Sequence, residues 1–449
     1  MTLRLNRLQL FQYRCFPEFA IDFHEQLTVL VAPNGLGKTA ILDAIAVAIG
    51  PYVGAFDEAT GKHFSSGDIR RAKVRSTASN EMESAADGIR LDADGHIGTE
   101  RHPTQWSRSL SGATHAKTTI RDARPLIQYG KQMQRAVRQG QEDILPLLSY
   151  YGTGRLWQLK KLMPGRLTRT SRTVAYTDCL EQGSSYKTFV EWFRYWSHNA
   201  SILRLEASES GRPYTQTEFD HLIASVTLAV NTCLAPVGWG RLKYSFALED
   251  LTAQHDHYGQ LPVSLLSDGI RNMIGMVADI AFRATKLNSH LGSGAAQQTP
   301  GIILIDEVDM HLHPEWQQVV LADLTRAFPR MQFIVTTHSP QVLTTVRAEQ
   351  IRIIGRTGEQ WYGKRPAVSP LARPSGDALA YIMGVNPRPP LDILEILHDY
   401  EQMVRCGQMG NPQAHAIRAR LDAAGVDIPE ADMALWQFLG QHAREYGHG

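Results

Sequence analysis

The stretch Ala32-Pro33-Asn34-Gly35-Leu36-Gly37-Lys38-Thr39 gathers the residue types needed to hold a chain of phosphates. Two glycines let a loop wrap closely round an anion, a lysine supplies positive charge, and a threonine hydroxyl is a hard oxygen donor of the kind Mg²⁺ takes. An apolar run, Leu27–Val31, precedes the stretch, and a helical pattern, Ala40–Ile49, follows it. Strand, tight loop, Gly-Lys-Thr and helix is the arrangement of a phosphate-binding P-loop. Asn34, Gly35 and Gly37 would present backbone N–H groups to the anion, and the helix N-terminus would add its dipole. Lys38 would reach the β- and γ-phosphates of a nucleoside triphosphate, and Thr39 would hold Mg²⁺. One position departs from the pattern: Ala32 stands where the first glycine is expected, which alanine tolerates if its φ is negative.

A second set of reactive residues lies some 230 positions downstream. Ser264–Arg271 carries Ser267-Asp268-Gly269 at the start of a helical pattern, another anion-binding arrangement. Gly301-Ile-Ile-Leu-Ile-Asp306-Glu307 reads as a buried strand ending in two carboxylates. Asp306 would hold Mg²⁺, and Glu307 would act as general base for a lytic water. Asp309 follows closely, and His338 ends another apolar strand, Gln332–Thr337, where it could sense a γ-phosphate. His311 and His313 have no partner ligand at a metal-binding spacing, so no zinc site is expected. Near the N-terminus, Arg14 sits in an aromatic turn, Phe11–Phe16, between two expected strands, and could contact the nucleotide.

The elements that must position these residues imply an α/β architecture. With 449 residues, 43% hydrophobic and 20% charged, the chain holds two or three domain-sized units of an ordinary globular protein. Residues 1–50 read as an N-terminal lobe containing the P-loop, and 51–144 as a variable, loop-rich and partly basic insertion. Residues 145–262 read as a strand followed by a helical subdomain, 263–357 as the second lobe, and 358–449 as a small helical extension. Net charge is only +1, yet residues 101–175 hold 14 Lys and Arg against three acids, with Trp106, Tyr129, Tyr150, Tyr151 and Trp157 interleaved. Such a segment could bind nucleic acid through charge and stacking. Residues 376–449 instead hold five Arg against ten acids, which reads as a docking module. Four dispersed cysteines without a CxxC pair fit a reducing, cytoplasmic setting, and no apolar run reaches the roughly 18–20 residues that cross a bilayer, so no membrane contact is expected.

Taken in order, these motifs resemble the head domain of ABC-type ATPases, the class that includes SMC, RecF and OLD proteins. On that resemblance Ser267–Arg271 matches the signature motif, Leu304–Glu307 the Walker B strand, Asp309 the D-loop and His338 the switch histidine. The resemblance covers about residues 1–50 and 145–357. The phrases APNGLGKT, YYGTGRLW, LSDGIRN, IDEVDMHLHPEWQ and TTHSP are similar to those of PtuA-type ATPases of Septu and retron-linked antiphage defence. The resemblance implies ATP and Mg²⁺ as cofactors. It also implies ATP sandwiched between two copies, with Ser267, Gly269 and Asp309 completing the site of Lys38 in the partner copy. A small HNH nuclease, PtuB-like, would dock on 358–449, and a retron reverse transcriptase or its RNA is a further implied partner. A RecF- or SMC-like repair head and an OLD-type nuclease ATPase are the alternatives. Two departures bear on the rate of hydrolysis: Asp268 stands where glycine is usual, and no Q-loop glutamine is evident, Gln158 being a poor candidate.

Overall fold

The computed structural model describes residues 2–73, 82–84, 88–100, 102–111, 118–119, 121–154, 171–182 and 186–446. They form two compact units, Met1–Val385 and Asn386–Gly449.

The core of the first unit is a six-stranded sheet. Its order is Gln360–Lys364, Ile351–Thr357, Leu27–Val31, Met331–Thr336, Gly301–Ile305 and Leu147–Tyr151. The last five run parallel, and Gln360–Lys364 closes one edge antiparallel. Every residue of the four strands from Leu27–Val31 to Leu147–Tyr151 is buried, as largely apolar strands covered on both faces should be. Gly301 is required: a Cβ there would lie 1.9 Å from the Leu147 carbonyl oxygen. Because the strands are parallel, the segments after Val31, Tyr151, Ile305 and Thr336 all emerge at one edge, where open α/β sheets bind ligands. Those segments hold the P-loop, Gly152, Asp306–Asp309 and His338.

A second, antiparallel sheet of Phe16–Asp22, Thr2–Tyr13, Ile89–Gly98 and Thr104–Leu110 lies beside it. The Gln332 side-chain amide joins the two sheets, accepting from Leu5 N (2.9 Å) and donating to Leu5 O (2.7 Å) and His24 O (3.0 Å). The helix Lys38–Val53 is buried at every residue but Thr39. Trp106 Nε1 and Arg108 Nη1 donate to its Ala48 and Val47 carbonyls at 3.0 and 3.1 Å. The stretch expected to be a loop-rich insertion therefore supplies two strands of this sheet and a helix, Arg124–Arg138. In Ile89–Gly98 the buried positions Ile89, Leu91, Ala93, Gly95 and Ile97 alternate with polar ones. The small side chains Ala93 and Gly95 obscure this period of two in the sequence.

The helical part comprises Tyr186–Glu209 and Glu218–Leu234, and the stretch read as a helical subdomain also holds a three-stranded meander, Trp239–Ser245, Asp250–His255 and Gly259–Pro262. Among the described residues Glu218–Val237 is the one stretch long and apolar enough to cross a membrane by length and composition. Its Val226, Ala229, Val230, Cys233 and Leu234 are buried in the core. The 358 boundary expected for the C-terminal extension moves to 386, because Gln360–Lys364 pairs with Ile351–Thr357 and Ala378 and Ile382 of the next helical segment join the main core. The second unit, by itself, consists of Ile393–Arg405, Pro412–Ala423 and Glu430–Tyr446 around Tyr400, Val404, Ala414, Leu421, Ile428 and Trp436. Asn411 caps the middle helix, and Gly425 (φ +75°) ends the turn after it.

The helix Asp268–Leu287 is anchored by a charge in the core. Arg283 Nε donates to Asp279 Oδ2 at 2.8 Å, Tyr151 Oη donates to the same oxygen at 2.8 Å, and Arg283 Nη1 donates to the Ala175 (2.6 Å) and Thr177 (3.0 Å) carbonyls. Both side chains of the pair are under 5% exposed. Removing one partner strands a buried charge, whereas replacing both does not. Arg283→Met should therefore lower unfolding free energy by roughly 3–5 kcal/mol. The double variant Asp279→Leu/Arg283→Met should recover most of that loss in urea titrations.

Candidate active site

The P-loop adopts the backbone its glycines allow. Gly35 and Gly37 have φ of +79° and +78°, while Ala32 is not among the left-handed residues, so its side chain costs nothing there. A Cβ on Gly37 would lie 2.5 Å from the Phe16 ring and 2.7 Å from Cys15 Sγ. The helix that begins at Lys38 has no acidic residue in its first turn and no side-chain cap, an N-terminus suited to an anion. Lys38 Nζ folds back to donate to Ala32 O (2.8 Å) and Pro33 O (3.4 Å). Burial lowers its pKa, against the pull of Asp306, Glu307 and Asp309.

Asp306, only 3% exposed, ties the lobe together. Thr39 Oγ1 donates to its Oδ2 at 2.7 Å and Thr336 Oγ1 to its Oδ1 at 2.6 Å. Glu307 N donates to Thr336 Oγ1 at 2.7 Å. Glu307 itself has φ +49°, a left-handed conformation that costs a non-glycine residue about 1–2 kcal/mol. Asp309 accepts from Thr337 Oγ1 at 2.5 Å, which brings the D-loop acid beside half-buried His338. A hydroxyl and a carboxylate 2.7 Å apart at the P-loop form an all-oxygen set that fits a hard divalent cation. Thr39 and Asp306 are thus the residues that would hold Mg²⁺. Among the described residues there is no cluster of three or more His, Cys, Asp or Glu, and His313 instead caps Pro314–Gln317.

Ser267 is the N-cap of Asp268–Leu287, exposed, and its side chain makes no capping bond. Gly269 allows close approach of the D-loop backbone: a Cβ there would sit 2.3 Å from His311 O. The charge of Asp268 is offset by an ion pair with Arg271, whose Nη1 also donates to Ser264 O at 3.2 Å.

Arg14 lies beside the P-loop helix and pairs with two carboxylates. Nη1 donates to Asp43 Oδ2 at 2.6 Å and Nε to Asp68 Oδ1 at 2.8 Å. Asp43, four residues after Thr39, also accepts from Gln182 Nε2 at 2.9 Å. Gln182 is a site residue the sequence did not reveal. Its backbone oxygen accepts from Gly152 N (3.1 Å), and Cys179 O accepts from Tyr150 N (2.8 Å), so the segment 179–182 runs along the end of the strand Leu147–Tyr151. Gln158 lies outside the described residues. Burial, then the charges of Asp43 and Asp306, raise the pKa of the neighbouring Tyr150 hydroxyl.

The basic segment is divided in use. Arg108 donates to the Thr119 and Val47 carbonyls, and Arg172 to those of Leu287, Gln141 and Asp143. Trp106, Tyr129, Tyr150 and Tyr151 are buried, so the base stacking expected of them does not occur. Lys160, Lys161, Arg166, Arg169 and Trp157 lie outside the described residues.

If Arg14 clamps the P-loop helix, its loss acts on folding as well as on nucleotide. Arg14→Ala should cost about 2–3 kcal/mol in thermal or urea unfolding without nucleotide, since two poorly exposed carboxylates lose a charged donor. Arg14→Lys should rescue less than half of that, because an ammonium cannot span both acids in the same geometry. Unchanged stability in both variants would return Arg14 to a purely ligand-binding role.

A sequence profile described as "AAA domain" matches residues 7–191, and one described as "AAA domain, putative AbiEii toxin, Type IV TA system" matches 246–344. The "Retron Vc95 probable ATPase" of Vibrio cholerae serotype O1 biovar El Tor is 41% identical over 152 residues, 33% of this chain and 29% of the relative; the matched part spans under a third of that relative's length. The "Septu protein PtuA" of Bacillus thuringiensis is 23% identical over 345 residues, covering 75% of this chain and 72% of the relative. Among solved structures the SMC head domain from Thermotoga maritima covers 81% of this chain at 14% identity with a TM-score of 0.43. Two segments of the chain thus match AAA-domain profiles, and the chain is similar in sequence to Septu PtuA and the retron ATPases.

Proposed function

We infer that the protein is an ATP-binding and ATP-hydrolysing switch of antiphage defence, closing on ATP as a pair of copies and controlling a small HNH nuclease of PtuB type. The observation that carries the catalytic reading is the Asp306 carboxylate held between Thr39 and Thr336, with Glu307 next to it. Mg²⁺ bound there would offset the charge of the phosphates. Lys38 would bind the β- and γ-phosphates, Glu307 would take a proton from the attacking water, and His338 would monitor the γ-phosphate. Exposed, uncapped Ser267 supports completion of the site by a second copy. The Arg271 partner of Asp268 reduces the repulsion that this residue would otherwise present to phosphate. The names of the Septu and retron relatives support the defence setting. The acidic C-terminal unit, whose last helix exposes Leu435, Phe438 and Leu439 on one side, is the proposed nuclease dock.

Three variants test the switch. Lys38→Ala should abolish binding of a fluorescent ATP analogue. Glu307→Gln should keep binding, lose at least roughly 100-fold in turnover, and accumulate as an ATP-dependent dimer in size-exclusion light scattering. Ser267→Arg should bind ATP but stay monomeric. Normal ATP binding by Lys38→Ala would show the site to be elsewhere, and an ATP-dependent dimer of Ser267→Arg would remove the shared-site reading. For the dock, Phe438→Asp should lose co-purification with a PtuB-type nuclease while ATP binding is unchanged; retained co-purification would exclude this helix.

A further inference from the structure

The helix Arg124–Arg138 carries four cations, Arg124, Lys131, Arg135 and Arg138, and no acid. Its buried side, Leu126, Tyr129, Gly130, Met133 and Ala136, faces the core, and at Gly130 it presses on the end of the P-loop helix, where a Cβ would meet Ala55 Cβ at 2.6 Å and Tyr52 O at 2.8 Å. The opposite side presents Arg124, Gln128, Lys131, Arg135 and Arg138, spaced i, i+4, i+7, i+11 and i+14, all exposed. At about 100° and 1.5 Å per residue they fall within roughly 80° of arc and extend about 21 Å along the axis. Arg138 pairs with Asp57, whereas Arg124, Lys131 and Arg135 make no ion pair with a described residue.

A single-sign row of this kind works against the helix that bears it. Lys131 and Arg135 are like charges at i, i+4, which costs a few tenths of a kcal/mol where an acid would have contributed as much. An anionic counterpart offsets that repulsion. The row is convex and its neighbours are the amides Gln128, Gln132 and Gln139, donors suited to phosphate and sugar oxygens. A helix made for a bilayer surface would set large apolar side chains along the edge of its cationic face. Here the apolar side is sealed into the core.

We propose that the exposed face of Arg124–Arg138 is a sequence-independent contact for the phosphate backbone of a nucleic acid, made by Arg124, Lys131 and Arg135. The site is distinct from the ATP site and does not depend on the partner nuclease. Arg108, which is buried, and Arg172, half-buried, are engaged with backbone carbonyls and take no part in it.

The test uses the full chain and its variant Arg124→Gln/Lys131→Gln/Arg135→Gln, since glutamine keeps helix propensity while removing charge. Fluorescence anisotropy is read with fluorescein-labelled oligonucleotides of about 20 nucleotides, as duplex DNA, single-stranded DNA and single-stranded RNA, across a salt series. The native chain should bind at least one of the three with affinity falling as salt rises, and that probe identifies the nucleic acid. The variant should flatten the slope of log K against log salt by about 2–3, with equal effect on unrelated sequences and no change in ATP binding. If the triple variant melts early, Lys131→Gln alone should flatten the slope by about 1. An unchanged slope, or no binding of any probe by the native chain at low salt, overturns the proposal. So does a variant that loses binding to phosphatidylserine vesicles while keeping oligonucleotide affinity, which would make the face a membrane contact.

Discussion

One buried carboxylate sets the terms for the catalytic edge. Asp306 sits at the end of a fully buried strand, where an unpaired charge would cost several kcal/mol. Its two oxygens are satisfied from different elements, Oδ2 by Thr39 at the start of the P-loop helix and Oδ1 by Thr336 at the end of the adjacent strand. Three segments far apart in sequence are thereby held within hydrogen-bonding distance of each other. The same geometry explains the strain at Glu307. The chain must turn sharply after Asp306, so Glu307 enters the left-handed region, and its N–H is recovered by Thr336 Oγ1. The residue proposed to handle water is thus placed by the hydrogen bonds that satisfy the proposed metal ligand.

A second set of buried contacts fixes the helix on which the proposed shared site depends. The helix bearing Ser267 at its tip is fixed from inside by the Arg283–Asp279 pair and by Tyr151, the last residue of the strand next to the Asp306 strand. Gly269 lets the His311 backbone approach the same helix, so the turn at Ser267 and the segment after Asp309 are packed together. Ser267 is exposed at the end of a helix whose body is buried. An exposed helix tip without a capping bond is the feature on which the proposed sharing of the site between two copies rests.

The parts of this arrangement legible in the sequence were those made of contiguous residues. Leu27–Val31, with one threonine, and Gly301–Ile305 are short apolar runs, and the P-loop and Asp306-Glu307 follow them directly. The antiparallel sheet was harder to read, because alternation in Ile89–Gly98 is carried partly by Ala93 and Gly95, whose burial comes from close strand approach: a Cβ on Gly95 would lie 2.1 Å from Arg4 O. Arg14 announced its neighbourhood but not its role. Asp43 lies 29 residues away and Asp68 54, and neither spacing carries a local signal. Charge counting also failed to separate uses. Arg108 and Arg172 look like surface cations in sequence, yet each donates to backbone carbonyls of distant segments.

Gln182 is the clearest case of a position that only the fold creates. It follows Tyr151 by 31 residues, so nothing in its neighbourhood marks it. Yet Gly152 N and Tyr150 N both donate to the segment that holds it, and those bonds set its side chain against Asp43. Asp43 lies one helical turn beyond Thr39, on the same side of the P-loop helix. A glutamine amide therefore stands beside the Tyr150 hydroxyl (3.3 Å), at the end of the strand Leu147–Tyr151, but it arrives from a later segment. Gln182 and Arg14 share Asp43, so the amide and the turn before Phe16 are linked through the helix that carries Lys38.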